Sequence, residues 1–185
     1  VRDCFEPIDY AADSGECIKN KVTCITEDSG GRIWMIVNGQ GVFCYDTKYS
    51  HLHHVSYDEL GISGFRRLLC SRHSGMWLSR YHSSLYHTPS EMRLAGGMER
   101  FQDKGWFDND EIEGIFEGAD GQVYVASTLN GISEIDPVSG AIRSLFKLPD
   151  GVVLTDAFFE KDRWIWLSTT DGVWRYDLHG SGVQH

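Results

Sequence analysis

The stretch "EDSGGRIWMIVNGQGVFCYD", Glu27 to Asp46, returns ninety residues later as "EGADGQVYVASTLNGISEID", Glu117 to Asp136. A recurring phrase restricts the fold more tightly than any single motif, because each copy must be one supersecondary unit that buries its face against its neighbours. The central aromatic occurs four times, as Trp34, Trp77, Tyr124 and Trp166, at spacings of 43, 47 and 42 residues. Gly41 and Gly131 follow the first and third aromatics by seven residues, and Gly172 follows the fourth by six. The second copy, Leu68 to Thr88, carries Ser84 at that place and is the degenerate member.

Within a copy the pattern reads as three short strands. "VTCITE", "RIWMIV" and "VFCYD" are runs of β-branched and aromatic residues separated by the turns "DSGG" and "NGQG", which is the signature of successive hairpins. The middle strands "IWMIV", "VYVAS" and "WIWLS" are almost wholly apolar, as expected when both faces of a sheet are covered. A more polar fourth strand follows in "HLHHVSYDEL", "GGMERFQDK" and "AIRSLFKL". Four antiparallel strands per unit, stacked face to face at this period, predict an all-β chain built as a β-propeller of about four blades, partial or small. The blades are expected over residues 18–60, 61–104, 105–149 and 150–185 of a single domain, with 1–17 as an outer strand that could close the last blade.

Composition narrows the function. At 185 residues, with 41% hydrophobic and 24% charged side chains, the chain is an ordinary globular domain with a sizeable core. Its 27 acidic and 17 basic side chains leave a net charge of -10 and no Lys/Arg-rich run, which excludes nucleic acid as an expected partner. No segment has the roughly twenty apolar residues that span a bilayer, and "VRDCFEPIDY" is not a signal peptide, so the chain is expected to be soluble and to make no membrane contact of its own. A start at Val1 points to a processed or excised chain. The cysteines Cys4, Cys17, Cys24, Cys44 and Cys70 lack metal-site spacing and are expected as buried thiols, the alternative being a Cys4–Cys17 disulfide.

The pattern "EDxxGxIWxxxxxGVxxYD" resembles the two-component regulator propeller repeat of the periplasmic sensor regions of bacterial hybrid histidine kinases. Glu27, Asp28, Gly31, Ile33, Trp34, Gly41, Val42, Tyr45 and Asp46 carry it in the first copy, and Trp166, Gly172, Val173, Tyr176 and Asp177 in the last. The resemblance implies a periplasmic location in an inner-membrane sensor protein and a ligand-sensing rather than catalytic role. Members of that family usually hold many more repeats, a membrane helix and kinase modules. The ends are therefore expected either to close a four-bladed ring or to be cuts through a larger propeller whose edges pair between molecules as a homo-oligomer.

The turns between second and third strands share a face with the connections between blades. That face collects Asn38, Gln40, Arg80, Tyr81, His82, Asn130 and Asp171 with the segments "DELGISGF" and "DKGWFDND". Aromatic rings mixed with hydrogen-bonding groups suit a sugar, so Arg80, Tyr81, His82, Trp106, Asn109, Asn38 and Asn130 are the candidate ligand residues. His51, His53 and His54 read as a solvated outer strand rather than a metal site, and Asp108 to Gly114 as an acidic loop, since Glu113 stands where a calcium loop needs glycine. Cys70 and His73 lack a third group, and no nucleophile elbow, zinc motif or phosphate loop is present. No cofactor, metal or catalytic residue is expected. The leading reading is a sensor module that recognises an oligosaccharide and signals through dimer packing; the alternative is a protein-interaction scaffold without a small-molecule ligand.

Overall fold

The computed structural model describes residues 15, 17–82, 84–89, 99–101, 103–180 and 182–185. They form four sheets, each a meander of four antiparallel strands in chain order. The first holds β1 (Val22–Glu27), β2 (Ile33–Val37), β3 (Gly41–Asp46) and β4 (His51–Ser56), followed by the single turn of α1 (Tyr57–Leu60). The second holds β5 (Phe65–Ser71), β6 (Gly75–Arg80), β7 (Leu85–Thr88) and β8 (Glu99–Arg100). The third comprises β9 (Ile112–Glu117), β10 (Val123–Ser127), β11 (Gly131–Ile135) and β12 (Ile142–Phe146). The fourth comprises β13 (Leu154–Glu160), β14 (Trp164–Thr169), β15 (Gly172–Asp177) and β16 (Val183–Gln184). This is the all-β, bladed architecture that the repeat predicts.

The repeated letters have physical jobs. The Asp28 carboxylate accepts hydrogen bonds from the Gly30 and Arg32 amides at 2.8 and 3.0 Å and from the Trp34 indole at 2.7 Å, so it folds the first turn and satisfies a buried donor together. The same tether recurs from Trp77 to Ser74, from Tyr124 to Asp120 and from Trp166 to Glu160. At Gly41 and Gly131 a Cβ would lie 2.2 Å from the carbonyl oxygen of Val55 or Phe146 in the outer strand, and both residues have positive φ, so only glycine fits. Ser84 takes a φ of 95° at the equivalent place in the degenerate copy.

Three apolar seams join the sheets. Trp34, Ile36 and Val42 pack against Phe65, Leu68 and Cys70; Trp77 and Leu85 against Ile112, Ile115 and Val125; Tyr124 and Ile132 against Leu154, Ile165 and Leu167. The aromatic of each of the first three repeats thus faces the following sheet, and the inner strands β1, β5, β9 and β13 lie in succession along one groove.

The fourth place in the last sheet is taken by β16, from the chain's own tail. Residues 1–14 and 16, and with them most of the strand expected to close that sheet, lie outside the described residues, as does Cys4. Cys17, Cys24, Cys44 and Cys70 are thiols rather than disulfides, with Cys44 and Cys70 buried in strands. Among the described residues no helix is long and apolar enough to cross a membrane.

Candidate functional site

Each inner strand carries a bulge at the same place. The pairing skips Thr23 in β1, Arg66 in β5, Glu113 in β9 and Thr155 in β13, residues separated by the same 43, 47 and 42 positions as the repeat aromatics. A bulge adds one residue to a strand, so two neighbouring side chains escape the usual alternation of faces. In the outer two copies the extra residue is threonine, whose hydroxyl bonds back to its own sheet, Thr23 to the Ile36 carbonyl and Thr155 to the Ser168 carbonyl. In the middle two copies it is a charge of each sign, and the charges meet across the seam.

Arg66 donates to Glu111 at 2.6 Å and to Glu113, while Arg67 donates to the Glu113 carboxylate at 2.9 Å, to its carbonyl at 2.7 Å and to Asp156 at 3.2 Å. Burial raises the Glu113 carboxyl above its ordinary value, and the two guanidinium groups offset this only in part. The network lies at one end of a groove of about 520 Å³ lined by the inner strands. At the other end Glu117 accepts from Ser71, from the Arg72 and His73 amides at 2.8 and 3.2 Å, and bonds to His73 Nδ1 at 3.0 Å. Burial works against the Glu117 charge, but these bonds outweigh it and hold the carboxyl below its ordinary value. His73 is thus committed to Glu117.

Beside the charged end, Arg66 and Glu111 meet the turn between β6 and β7. The Tyr81 amide donates to the Gly64 carbonyl at 3.0 Å, its ring lies 5.3 Å from the Arg66 guanidinium, and His82 bonds to Glu111 at 2.9 Å through Nδ1. His82 sits in the left-handed region with its side chain 88% exposed, and Tyr81 is 45% exposed. Arg80 is exposed beside Gly64. Tyr81 and His82, two of the candidates read from the sequence, therefore rest on the Arg66–Glu111–Glu113 network, with Arg80 next to them in the chain.

Of the other candidates, Trp106 and Asn130 are bound into the scaffold, while Asn38 and Asn109 are exposed. The Trp106 indole donates to Ser133 at 3.0 Å, and the Asn130 side chain donates to the Trp106 carbonyl at 2.7 Å and to the fully buried Asp110 at 3.0 Å. Asn109 occupies a left-handed turn position with a φ of 59°. On the first sheet the Asn38 carbonyl accepts from the Asn20 side chain, and Gln40 holds the Lys19 and Asn20 amides and the Cys17 carbonyl. His51 and His53 meet edge to face at 4.5 Å on β4, and His54 stacks on Phe43 at 4.1 Å. Among the described residues no cluster of three His, Cys, Asp or Glu side chains is arranged to hold a metal ion.

The expectation of an acidic loop over Asp108 to Gly114 needs correction. Residues from Ile112 onward belong to β9, and Glu111 and Glu113 are the partners of the two arginines. The correlated departure of Arg66 and Glu113 from threonine, at repeat-equivalent positions, is the sequence signal that reveals them.

No protein-family model matches the sequence, and no curated protein matches it. The extracellular domain of the hybrid two-component system BT4673 from B. thetaiotaomicron superposes with a TM-score of 0.72 at 17% identity, over 95% of this chain and 24% of that one. The corresponding domain of BT3049 from the same organism gives 0.64 at 16% identity, over 90% and 24%. Virginiamycin B lyase from Staphylococcus aureus gives 0.62 at 16% identity, over 88% and 54%. The chain thus spans about a quarter of the length of the sensor domains it matches. At these identities the likeness is one of fold: the chain is built of β-propeller blades, and two of the proteins that share them are extracellular domains of the kind of sensor whose repeat the sequence resembles.

Proposed function

We propose that this chain is part of an extracytoplasmic sensing module of a two-component signalling protein, that it recognises an oligosaccharide at the Arg80–Tyr81–His82 turn, and that occupancy is passed on through dimer packing. The observation that carries the reading is the replacement of threonine by Arg66 and Glu113 at repeat-equivalent bulges, coupled through Glu111 to the exposed His82 and through Arg66 to the Tyr81 ring. An accessible aromatic face can cover the apolar C–H face of a sugar, while a guanidinium and an imidazole beside it address its hydroxyls.

The sensing half of the reading is supported by the extracellular domains of BT4673 and BT3049. The lyase has blades too, so the non-enzymatic half rests on the site: Glu111 and Glu113 are both engaged by arginine, which leaves neither to act as a proton-transfer partner.

Calorimetric titration of a glycan panel tests this. Binding by at least one oligosaccharide is expected, with its loss in Tyr81→Ala at unchanged melting temperature. A panel without any binder, or binding that survives Tyr81→Ala, counts against the site.

A further inference from the structure

Asparagine followed by glycine occurs twice in the chain, as Asn38–Gly39 and Asn130–Gly131, each at the turn between the second and third strands of a sheet. In such a pair the asparagine side-chain carbon and the next main-chain nitrogen can close a ring, and glycine has no side chain to obstruct the approach. The structure treats the two pairs oppositely. The Asn130 side chain donates to the Trp106 carbonyl at 2.7 Å and to the fully buried Asp110 at 3.0 Å. Gly131 is buried too, with its α-carbon pressed towards the Phe146 carbonyl. Ring closure there would break both side-chain bonds and take a donor from a carboxylate inside the protein.

Asn38 and Gly39 are exposed. Only the main chain of Asn38 is held, its amide donating to the Lys21 carbonyl at 2.9 Å and its carbonyl accepting from the Asn20 side chain at 2.9 Å. Among the described residues neither the Asn38 side chain nor the Gly39 amide has a hydrogen-bond partner.

We propose that Asn38 is a site of self-modification, deamidated by the Gly39 nitrogen, that Asn130 is protected from the same reaction, and that conversion of Asn38 releases the segment leading into β1. The Gly39 nitrogen gives its proton to hydroxide and attacks Asn38 Cγ. The N–Cγ bond forms, the Cγ–Nδ2 bond breaks, and Nδ2 takes a proton from water and leaves as ammonia. Water then opens the resulting succinimide at either carbonyl. One opening gives aspartate; the other gives isoaspartate, with the chain rerouted through Cβ and Cγ. Water is the one co-reactant, and one amide is exchanged for one acid.

The product no longer fits the turn. Three residues link the paired Val37 and Gly41, and the Gln40 amide closes the turn on the Val37 carbonyl at 3.1 Å. An isoaspartate lengthens this link by a methylene and puts a carboxylate where the Asn38 carbonyl had accepted from Asn20. Gln40 is thereby displaced, and Gln40 is the residue that holds the Lys19 and Asn20 amides and the Cys17 carbonyl.

Peptide mapping by mass spectrometry, on the folded 185-residue chain aged in mildly alkaline buffer, tests the selectivity. Asn38 should gain the mass of an amide exchanged for an acid, with isoaspartate among its products, several-fold sooner than Asn130. In urea, where neither side chain is clamped, the two sites should convert at similar rates. Equal rates in the folded chain overturn the proposal, and so does a preference for Asn38 that persists in urea, since it would then come from local sequence and not from the fold. Hydrogen exchange of the aged chain tests the release: the Lys19 and Asn20 amides should exchange several-fold faster in the converted fraction. Exchange that is the same before and after conversion overturns that part.

Discussion

Asp177 shows how a repeat letter becomes a stabilising contact. The Arg163 guanidinium donates to it at 3.0 and 2.8 Å, and this hydrogen bonding is the first cause that brings its carboxyl down to about 2. A carboxyl depressed in the folded state stabilises the fold in full above its unfolded value of about 3.9, and loses that contribution as pH falls towards the folded value. Asp177→Asn should therefore lower the urea midpoint at pH 7 and at pH 5, with the gap to the native chain closing between about pH 4 and pH 2. A gap of constant size across that window would show that the charge is irrelevant. Residues of this kind were legible in the sequence, because the places of Trp34, Gly41 and Asp177 recur at near-constant spacing and each has a local partner. Arg66 and Glu113 were not legible in the same way. Their partners come from another repeat, and the bulge that carries them breaks the alternation by which a strand's faces are read.

Among the elements, the inner strands set the chemistry and the outer strands finish the sheets. The strand runs, their turns and the antiparallel order follow from the alternation of apolar runs with Gly, Asn and Asp. Of the two shortest strands, β8 falls within the polar fourth strand read in "GGMERFQDK", whereas β16 was hard to see because two residues carry no periodicity. Since Thr23 and Thr155 fill the bulge in the outer copies, the pair Arg66→Thr and Glu113→Thr should be milder together than either alone. Each single change removes one charge from a shared network, leaving Glu113 with Arg67 or Arg66 with Glu111, and should cost about 1.5–3 kcal/mol. The double change should cost about 1 kcal/mol or less, because it restores the repeat's own solution. Urea unfolding of the four species checks this double-mutant cycle, and additive costs would mean that the two charges do not act as a pair. The double variant should also lose glycan binding while staying folded.

For the molecule as a whole, stability is shared between neighbours rather than held in one centre. The second and third sheets are covered on both faces, while the fourth is covered on one. In stacked-repeat architectures local stability follows the number of covered faces. Native-state hydrogen exchange of the 185-residue chain should find amides of β5, β6, β9 and β10 protected best and those of β14 and β15 opening at lower free energy. Uniform protection across the four sheets would contradict the picture of serial seams.

One small hydrogen bond in each sheet separates what a mouth turn holds from what it displays. The amides of Asn38, Tyr81, Thr128 and Thr170 donate at 2.9–3.0 Å to the carbonyls of Lys21, Gly64, Glu111 and Val153, just ahead of the inner strands. That bond is indifferent to the side chains beyond it, whereas the ties made by Gln40, Asp110 and Thr170 are not. A tip can therefore be exchanged between positions, or diversified in a library, where those ties travel with it. The mouth is the part of this architecture most open to evolutionary and engineered change of specificity.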